Sequence, residues 1–407
     1  MRLFFIFIFT FLFLYGVDAT IKIEKDVDQR ESIEVLDSNP SALGKKAFEI
    51  FVSDFKISSH FLPSKEYKQE PFSNFTKYRA KKYILKYKIS QSPNKTTLLI
   101  KLIKSNNLKT ILQKSYSISY NPKYPFLIHK AVSDINDKLG FKSINWINRY
   151  LLYSEYTGKK RSIIGVADYT FNYKKVIIRG GLNIFPIWGD KNQNTIYYTS
   201  FDTKIPTLNR LNLKTGEIKK ILSSQGMLIC SDVSKDGKRL LLTMAPSSQP
   251  DIYLYNLASN SLKQLTTFRG IDVGAKFANQ EKEIVFVSNR LGYANIFKKS
   301  INQDSAVEAI AFGKNNDSCD VFDKEVVYSS KDGAKSFNLY LTTIDAATPR
   351  PLTSTGINQF PKFSPDGEAI LYIKRTPKGN FLGYISLKAN ISMLFPVSLN
   401  KIQSIDW

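Results

Sequence analysis

Short apolar runs bounded by polar turn residues recur along the chain from Trp146 onward. The middles of the strongest runs fall at Leu151, Ile196, Leu240, Ile284, Val326 and Ile370, at intervals of 45, 44, 44, 42 and 44 residues. A second set, Ile163, Leu208, Ile252, Ile296, Leu339 and Leu382, repeats at 45, 44, 44, 43 and 43. A third set, Trp188, Val233, Phe277, Val321, Phe363 and Trp407, repeats at 45, 44, 44, 42 and 44. Three sets with one period imply six copies of one unit. β-Branched and aromatic residues fill the runs, which predicts about four short strands per unit. Thr215-Gly216, Asp236-Gly237, Asp332-Gly333 and Asp366-Gly367 supply the turns, because such pairs suit positions of positive φ. A four-stranded unit of this length is a propeller blade, so residues 146–407 predict an all-β six-bladed β-propeller.

The phase of the repeat predicts how the ring closes. The third set ends at Trp407, one strand into a further unit, while the first unit at Trp146 lacks that strand. Ser404–Trp407 is therefore expected to complete the first blade and remove an exposed edge.

Residues 20–145 follow other periods. Thr20–Glu24, Ser32–Leu36, Lys82–Ile89, Thr97–Ile103 and Thr110–Ser119 are strand-like. Pro40–Phe55 has helical spacing. So does Lys123–Leu139, where Ile128, Ala131, Val132, Ile135 and Leu139 share a face and Gly140 stops the helix. The expectation is a small α/β domain ahead of the propeller. Residues 1–19 read as an export signal: Arg2, an apolar run from Leu3 to Tyr15, then small residues before a cleavage point after Ala19. That run of 13 residues rises only about 20 Å as a helix, short of a membrane core of about 30 Å. The processed protein is expected to be soluble, exported and monomeric.

The formal charge is +23, from 58 Lys+Arg against 35 Asp+Glu. Only 12 of the basic residues are Arg, a poor match to base readout, and export further weakens a nucleic-acid role. The charge is concentrated in residues 71–133, which hold 13 Lys/Arg and no acid. A solvated basic face accounts for this, and so does an acidic partner or an anionic envelope polymer bound to the first domain.

No catalytic constellation is visible, and no Gly-x-Ser-x-Gly motif occurs. Two histidines, His60 and His129, exclude a His-rich metal site, and no cofactor motif is present. His129 is expected to play a structural part on its helix. Cys230 and Cys319 fall two units apart and should be free thiols. What remains is a surface. The loops leading into the inner strands gather around one mouth of the channel, centred on Asn183, Met227, Asp272, Asn316 and Asn358, with Phe185 and Phe360 beside them. Amides, one carboxylate and apolar groups suit protein recognition. A propeller enzyme or binding protein acting on cell-wall polymer is the rival reading, and carboxylates converging in the channel would favour it.

This organisation resembles the TolB family, periplasmic components of the Tol–Pal system of Gram-negative bacteria. Local matches are His129-Lys-Ala-Val-Ser-Asp134 with Leu139-Gly140, and Asn148-Arg-Tyr-Leu-Leu-Tyr153. The family's blade motif, Pro-x-Trp-Ser-Pro-Asp-Gly, is matched best by Phe360-Pro-Lys-Phe-Ser-Pro-Asp-Gly367 and in part by Phe185-Pro-Ile-Trp188. The resemblance implies a binding protein without enzymatic activity. It implies that the mouth binds the lipoprotein Pal and that the N-terminal segment Thr20–Glu31, beginning Thr20, Ile21, Lys22, Ile23, Glu24, engages TolA. It also implies a role in outer-membrane integrity and envelope constriction during cell division. Where the family's Pal-contacting loop has His-Asn-Gly-Ala, this chain has Met227-Leu-Ile-Cys230, and a Thr in the next loop is matched by Asp272.

Overall fold

The computed structural model describes residues 30–407, apart from 74, 303–304, 314, 334–335, 378, 389 and 398–400. The strand expected at Thr20–Glu24 and the signal at residues 1–19 lie outside the described residues.

The first domain runs β1 (Glu31–Asp37), α1 (Ala42–Ile57), β2 (Phe61–Pro63), β3 (Lys68–Gln69), β4 (Tyr83–Ser92), β5 (Lys95–Lys104), β6 (Lys109–Ile118) and α2 (Tyr124–Lys138). Ser41 caps α1 by accepting from the Gly44 N–H at 2.9 Å. Gly140, at φ 74°, ends the turn after α2 in the left-handed conformation that favours glycine. The sheet order is β2-β1-β4-β5-β6, with β3 also beside β1. Strand β1 is parallel to β2, β3 and β4, and the β4–β5–β6 ribbon is antiparallel. Alternation along β4 and β5 sends Leu85, Tyr87, Leu98 and Ile100 toward the helices, where they meet Phe51, Phe55, Ile128 and Val132. Each fully buried side chain of this size contributes about 1.5–3 kcal/mol.

The described propeller residues form six blades of four strands, the fifth and sixth joined into one eight-stranded sheet by the pairing of Phe337 with Ile357. Five inner strands are Asn183–Trp188, Leu228–Val233, Asp272–Ala278, Asn316–Phe322 and Ile357–Phe363. The sixth is Lys401–Asp406, which pairs antiparallel with Leu151–Gly158 and supplies the inner strand of the first blade. The first repeat set is fully buried. In the second, Ile164 rather than Ile163 takes the buried place, because Ile164 shares the inward face with Ser162 and Ile163 lies on the other. With Ile164 the first interval becomes 44 like its neighbours.

The apolar contacts divide by sector. Five separate clusters fill the spaces between successive blades from the first to the sixth. The remaining sector, between the sixth blade and the first, is continuous with the core of the α/β domain. Trp146 joins them: its ring stacks on Tyr384 at 5.2 Å and meets Trp407 edge-on at 4.9 Å. The α/β domain is thus docked over the seam where the ring closes.

A buried ionic group reinforces this docking. His129 Nδ1 lies 2.8 Å from the Asp54 carboxylate of α1, and Nε2 lies 3.3 Å from Asp168 of the first blade. Tyr169 donates to the other Asp54 oxygen. Asp168 also accepts from the Thr170 N–H at 2.8 Å and the Tyr173 N–H at 2.5 Å. Burial alone would lower the His129 pKa, but the two carboxylates outweigh it and push it up to about 9. The structural part expected of His129 is therefore an ionic joint between domains.

Candidate binding face of the propeller

The first domain touches the blades at Tyr169, Glu368, Tyr384 and Ser386, on the side where the inner strands end. The opposite mouth, where they begin, is not covered by the described residues of the first domain, and all eight mouth residues singled out from the sequence lie around it. Their side chains, however, do not share one role.

Four of them face inward, and the expectation that they present polar groups to a partner is corrected. Asn183 is 3% exposed, and Asp272, Asn316 and Asn358 are 0% exposed. Asn183 Nδ2 donates to the Gly180 carbonyl at 2.6 Å. Asn358 Nδ2 donates to the carbonyls of Phe337 and Thr355 at 2.9 and 3.0 Å. Asn316 Nδ2 reaches Asn295 Oδ1 at 3.4 Å. Asp272 accepts from Arg290 through both oxygens, at 3.1 and 2.9 Å, and the guanidinium sits over the rings of Phe268 and Phe297. At each place the chain dives from the rim into the channel wall, and buried backbone groups there require partners. Asn183 and Asn358 answer that local need, while Asp272 and Asn316 pair with neighbouring side chains.

Phe185 and Phe360 also differ from expectation. Both are half-buried, at φ 52° and 55°, each in a bulge of its inner strand. Gly274, at φ 68°, occupies the same bulge in the fourth blade, so these three blades share left-handed backbone at this place with either Phe or Gly. Phe360 packs against the seam core. Cys230 is 3% exposed and donates to the Asp232 carbonyl at 3.5 Å, and burial pushes its thiol up. Cys319 is also a buried free thiol, pushed by burial up to about 12. Met227, 40% exposed, stays on the rim.

Sequence reasoning missed most of the rim's apolar surface. Phe201, Ile205, Ile271, Leu291, Tyr293 and Phe312 are 36 to 68% exposed and, with Met227, form an arc over the second to fifth blades. The signal was legible: Leu291-Gly-Tyr293 places large apolar residues on both sides of a turn glycine, where polar ones are ordinary. Exposed apolar groups gathered on one face are a surface of the kind that interaction sites use.

The channel wall carries an ordered set of charges. The residue before each member of the third repeat set is Ile187, Asp232, Lys276, Asp320, Lys362 or Asp406 in turn. Lys362 Nζ lies 3.1 Å from Asp406 and 3.7 Å from Asp320, and Lys276 Nζ lies 3.4 Å from Asp320 and 4.0 Å from Asp232. Each aspartate also accepts a backbone N–H from the next blade: Trp188 to Asp406 at 2.8 Å, Phe277 to Asp232 at 2.8 Å and Phe363 to Asp320 at 2.9 Å. Carboxylates do converge in the channel, but each is held by a lysine and a backbone amide, tying blades together. Burial opposes the charge of Lys362, yet Asp406 and Asp320 outweigh it and raise its pKa. Replacing Lys362 by Met is expected to cost about 2–3 kcal/mol in urea unfolding, because two part-buried carboxylates lose their counter-charge. An unchanged midpoint would mean that the ring does not bind the blades.

Residues 148–407 match the family model for the TolB beta propeller domain. The chain is 41% identical to the Tol-Pal system protein TolB of Wolinella succinogenes over 423 aligned positions, covering 100% of both chains. It is 39% identical to the Tol-Pal system protein TolB of Helicobacter hepaticus, covering 97% of each. Among solved structures, TolB from Acinetobacter baumannii superposes with a TM-score of 0.76 at 21% identity, covering 93% of this chain and 97% of that one, a likeness of fold. Together with an α/β domain docked on a six-bladed ring, these matches place the chain in the TolB family of Tol–Pal system proteins.

Proposed function

We propose that this chain is a periplasmic protein-binding adaptor of the Tol–Pal system rather than an enzyme. Its propeller mouth takes the periplasmic domain of Pal, and its N-terminal segment takes TolA, in support of outer-membrane integrity and envelope constriction during division. The observation that carries the reading is the apolar arc from Phe201 to Phe312, on the face opposite the docked domain. Amphipathic and aromatic anchors such as Tyr293 and Met227 are the side chains that protein interfaces favour at their centres. The cell-wall enzyme reading loses support, because the channel carboxylates are already engaged by Lys276 and Lys362. No described helix is long and apolar enough to cross a membrane.

In this reading the segment that takes TolA ends before Glu31. Glu31 begins β1, pairs with Phe61, and its carboxylate meets Lys82 at 2.5 Å, so it belongs to the folded sheet. Thr20–Glu24 lie outside the described residues.

Calorimetry with the Pal periplasmic domain of the same organism tests the mouth. Met227→Glu and Tyr293→Glu are each expected to weaken binding by tenfold or more, on the order of 1.4 kcal/mol or above. Asp272→Arg is expected instead to lower the melting temperature, since it places a second cation against Arg290 inside the wall. No heat of binding with Pal sinks the reading. Removal of residues 20–29 should abolish TolA binding and leave Pal binding intact, and loss of both would show that the two sites are not separate.

A further inference from the structure

The sheet of the first domain has two faces, and the helices cover one. Across the other lies the segment joining β3 to β4. It is fastened by charge. Lys86, 0% exposed, meets the Glu70 carboxylate at 2.8 Å and donates to the carbonyls of Pro71 and Phe75 at 2.9 and 2.6 Å. Lys101, across from Lys86 on β5, donates to the Phe72 carbonyl at 3.2 Å, and its Nζ lies 4.7 Å from the centre of that ring. Tyr78 packs on Leu36, Ile84 and Ile103, and Lys82 N–H donates to Ser32 Oγ at 2.9 Å. The segment is therefore a strap held at several points along its length.

The strap presents two kinds of group outward. Phe75 is 66% exposed, although its own carbonyl is pinned by Lys86. Around it stand cations: Lys77 and Arg79 on the strap, and Lys88 two places beyond Lys86 on the same face of β4, all exposed. Among the described residues none of these three has a carboxylate within ion-pair distance. The nearest exposed acid along the chain, Glu66, is 3.3 Å from Lys68, which also faces Glu34. A fixed aromatic ring set among uncompensated cations, two lysines and an arginine, combines two weak signals, apolar insertion and attraction to a negative surface, that suffice together for reversible attachment to a bilayer.

We propose that the strap of residues 70–82 docks this domain on an anionic phospholipid surface. The observations favour lipid over an acidic polymer. Lysine point charges suit a diffuse layer of phosphates, and an apolar ring held out in water finds a medium in the interfacial layer of a bilayer, whereas a charged polymer offers it none. The site is separate from the propeller mouth and does not depend on Pal binding there.

The test is vesicle co-sedimentation of the processed protein, residues 20–407, so that the apolar residues 1–19 cannot insert. Vesicles of phosphatidylcholine alone are compared with vesicles containing about 30% phosphatidylglycerol, at low salt and at about 0.5 M salt. Binding is expected on the anionic vesicles only, with release at high salt. Phe75→Ser should reduce bound protein roughly fivefold, and the triple variant Lys77→Glu, Arg79→Glu, Lys88→Glu should abolish binding. Melting curves of both variants should match the parent, since the altered side chains are exposed. Equal binding to neutral vesicles, no binding to anionic ones, or binding that survives the triple variant would overturn the proposal. So would retention on a soluble polyanion such as heparin without retention on vesicles, which would assign the face to a polymer.

Discussion

Deletion of residues 401–407 is expected to abolish cooperative folding of the propeller, not merely to trim an end. Ile402, Ile405 and Trp407 are 1, 2 and 8% exposed. Restoring three such side chains to water costs roughly 1.5–3 kcal/mol each, before any cavity is counted. Polar ties go with them. Gln403 accepts from Ser154 Oγ at 2.6 Å and from the Phe185 N–H at 3.1 Å, and Asp406 accepts from the Trp188 N–H at 2.8 Å while pairing with Lys362. The sum, on the order of 6–10 kcal/mol, is comparable to the whole stability of an ordinary domain. The damage also spreads to the first domain, because its core is continuous with the seam through Trp146 and Trp407. Circular dichroism should show either no cooperative transition or a melting temperature lower by roughly 15 °C or more. Trp407→Ala is the graded version, expected to cost about 3–5 kcal/mol. A truncated protein that melts like the parent would rule out closure by this strand.

The blades were readable because period and chemistry agree. A residue such as Leu240 or Ile284 must be apolar in every copy, since it fills the space between two blades, so the repeat survives divergence. The same logic explains Ile163: a one-residue difference in an alternating strand swaps faces, and only the observed register makes Ile164 the buried member. Strands β2 and β3 were not legible because Phe61–Pro63 and Lys68–Gln69 are too short to show a period; they exist by pairing with β1. The residues singled out for the mouth do lie around it, but the side chains of Asn183, Asp272, Asn316 and Asn358 are buried. Asn183 and Asn358 serve buried backbone carbonyls, and Asp272 and Asn316 pair with the side chains of Arg290 and Asn295; sequence cannot tell such internal needs from partner recognition. The charged channel was hidden for the opposite reason. Asp232, Lys276, Asp320, Lys362 and Asp406 are ordinary surface residue types, and only the ring brings successive copies of one position within ion-pair reach. Basic residues 71–133 were evident from counting, but that Lys86 among them is an internal fastener required the fold.

The stability of the domain joint is expected to fall as pH rises through the range in which His129 loses its proton. His129 is fully buried between Asp54 and Asp168, and its folded pKa of about 9 lies above the ordinary 6.5. A group raised in this way binds its proton more tightly folded than unfolded. Its contribution is fully present below about 6.5 and is lost progressively as pH climbs through about 9. A difference of that size corresponds to about 3 kcal/mol. Burial pushes the Asp54 carboxyl upward as well, against the pull of His129, which adds a loss of the same sign starting above its ordinary 3.8. Tyr169, whose phenol burial raises well above its usual value, remains a donor to Asp54 throughout. His129→Leu leaves two buried carboxylates without a cation and should cost about 3–5 kcal/mol in urea unfolding at pH 6. At pH 9 the parent has itself lost much of that interaction, so the difference between parent and variant should shrink by half or more. A structural role through shape alone gives a cost that does not change with pH. That outcome would show that His129 is neutral in the folded protein and that the joint is held by its hydrogen bonds and not by charge.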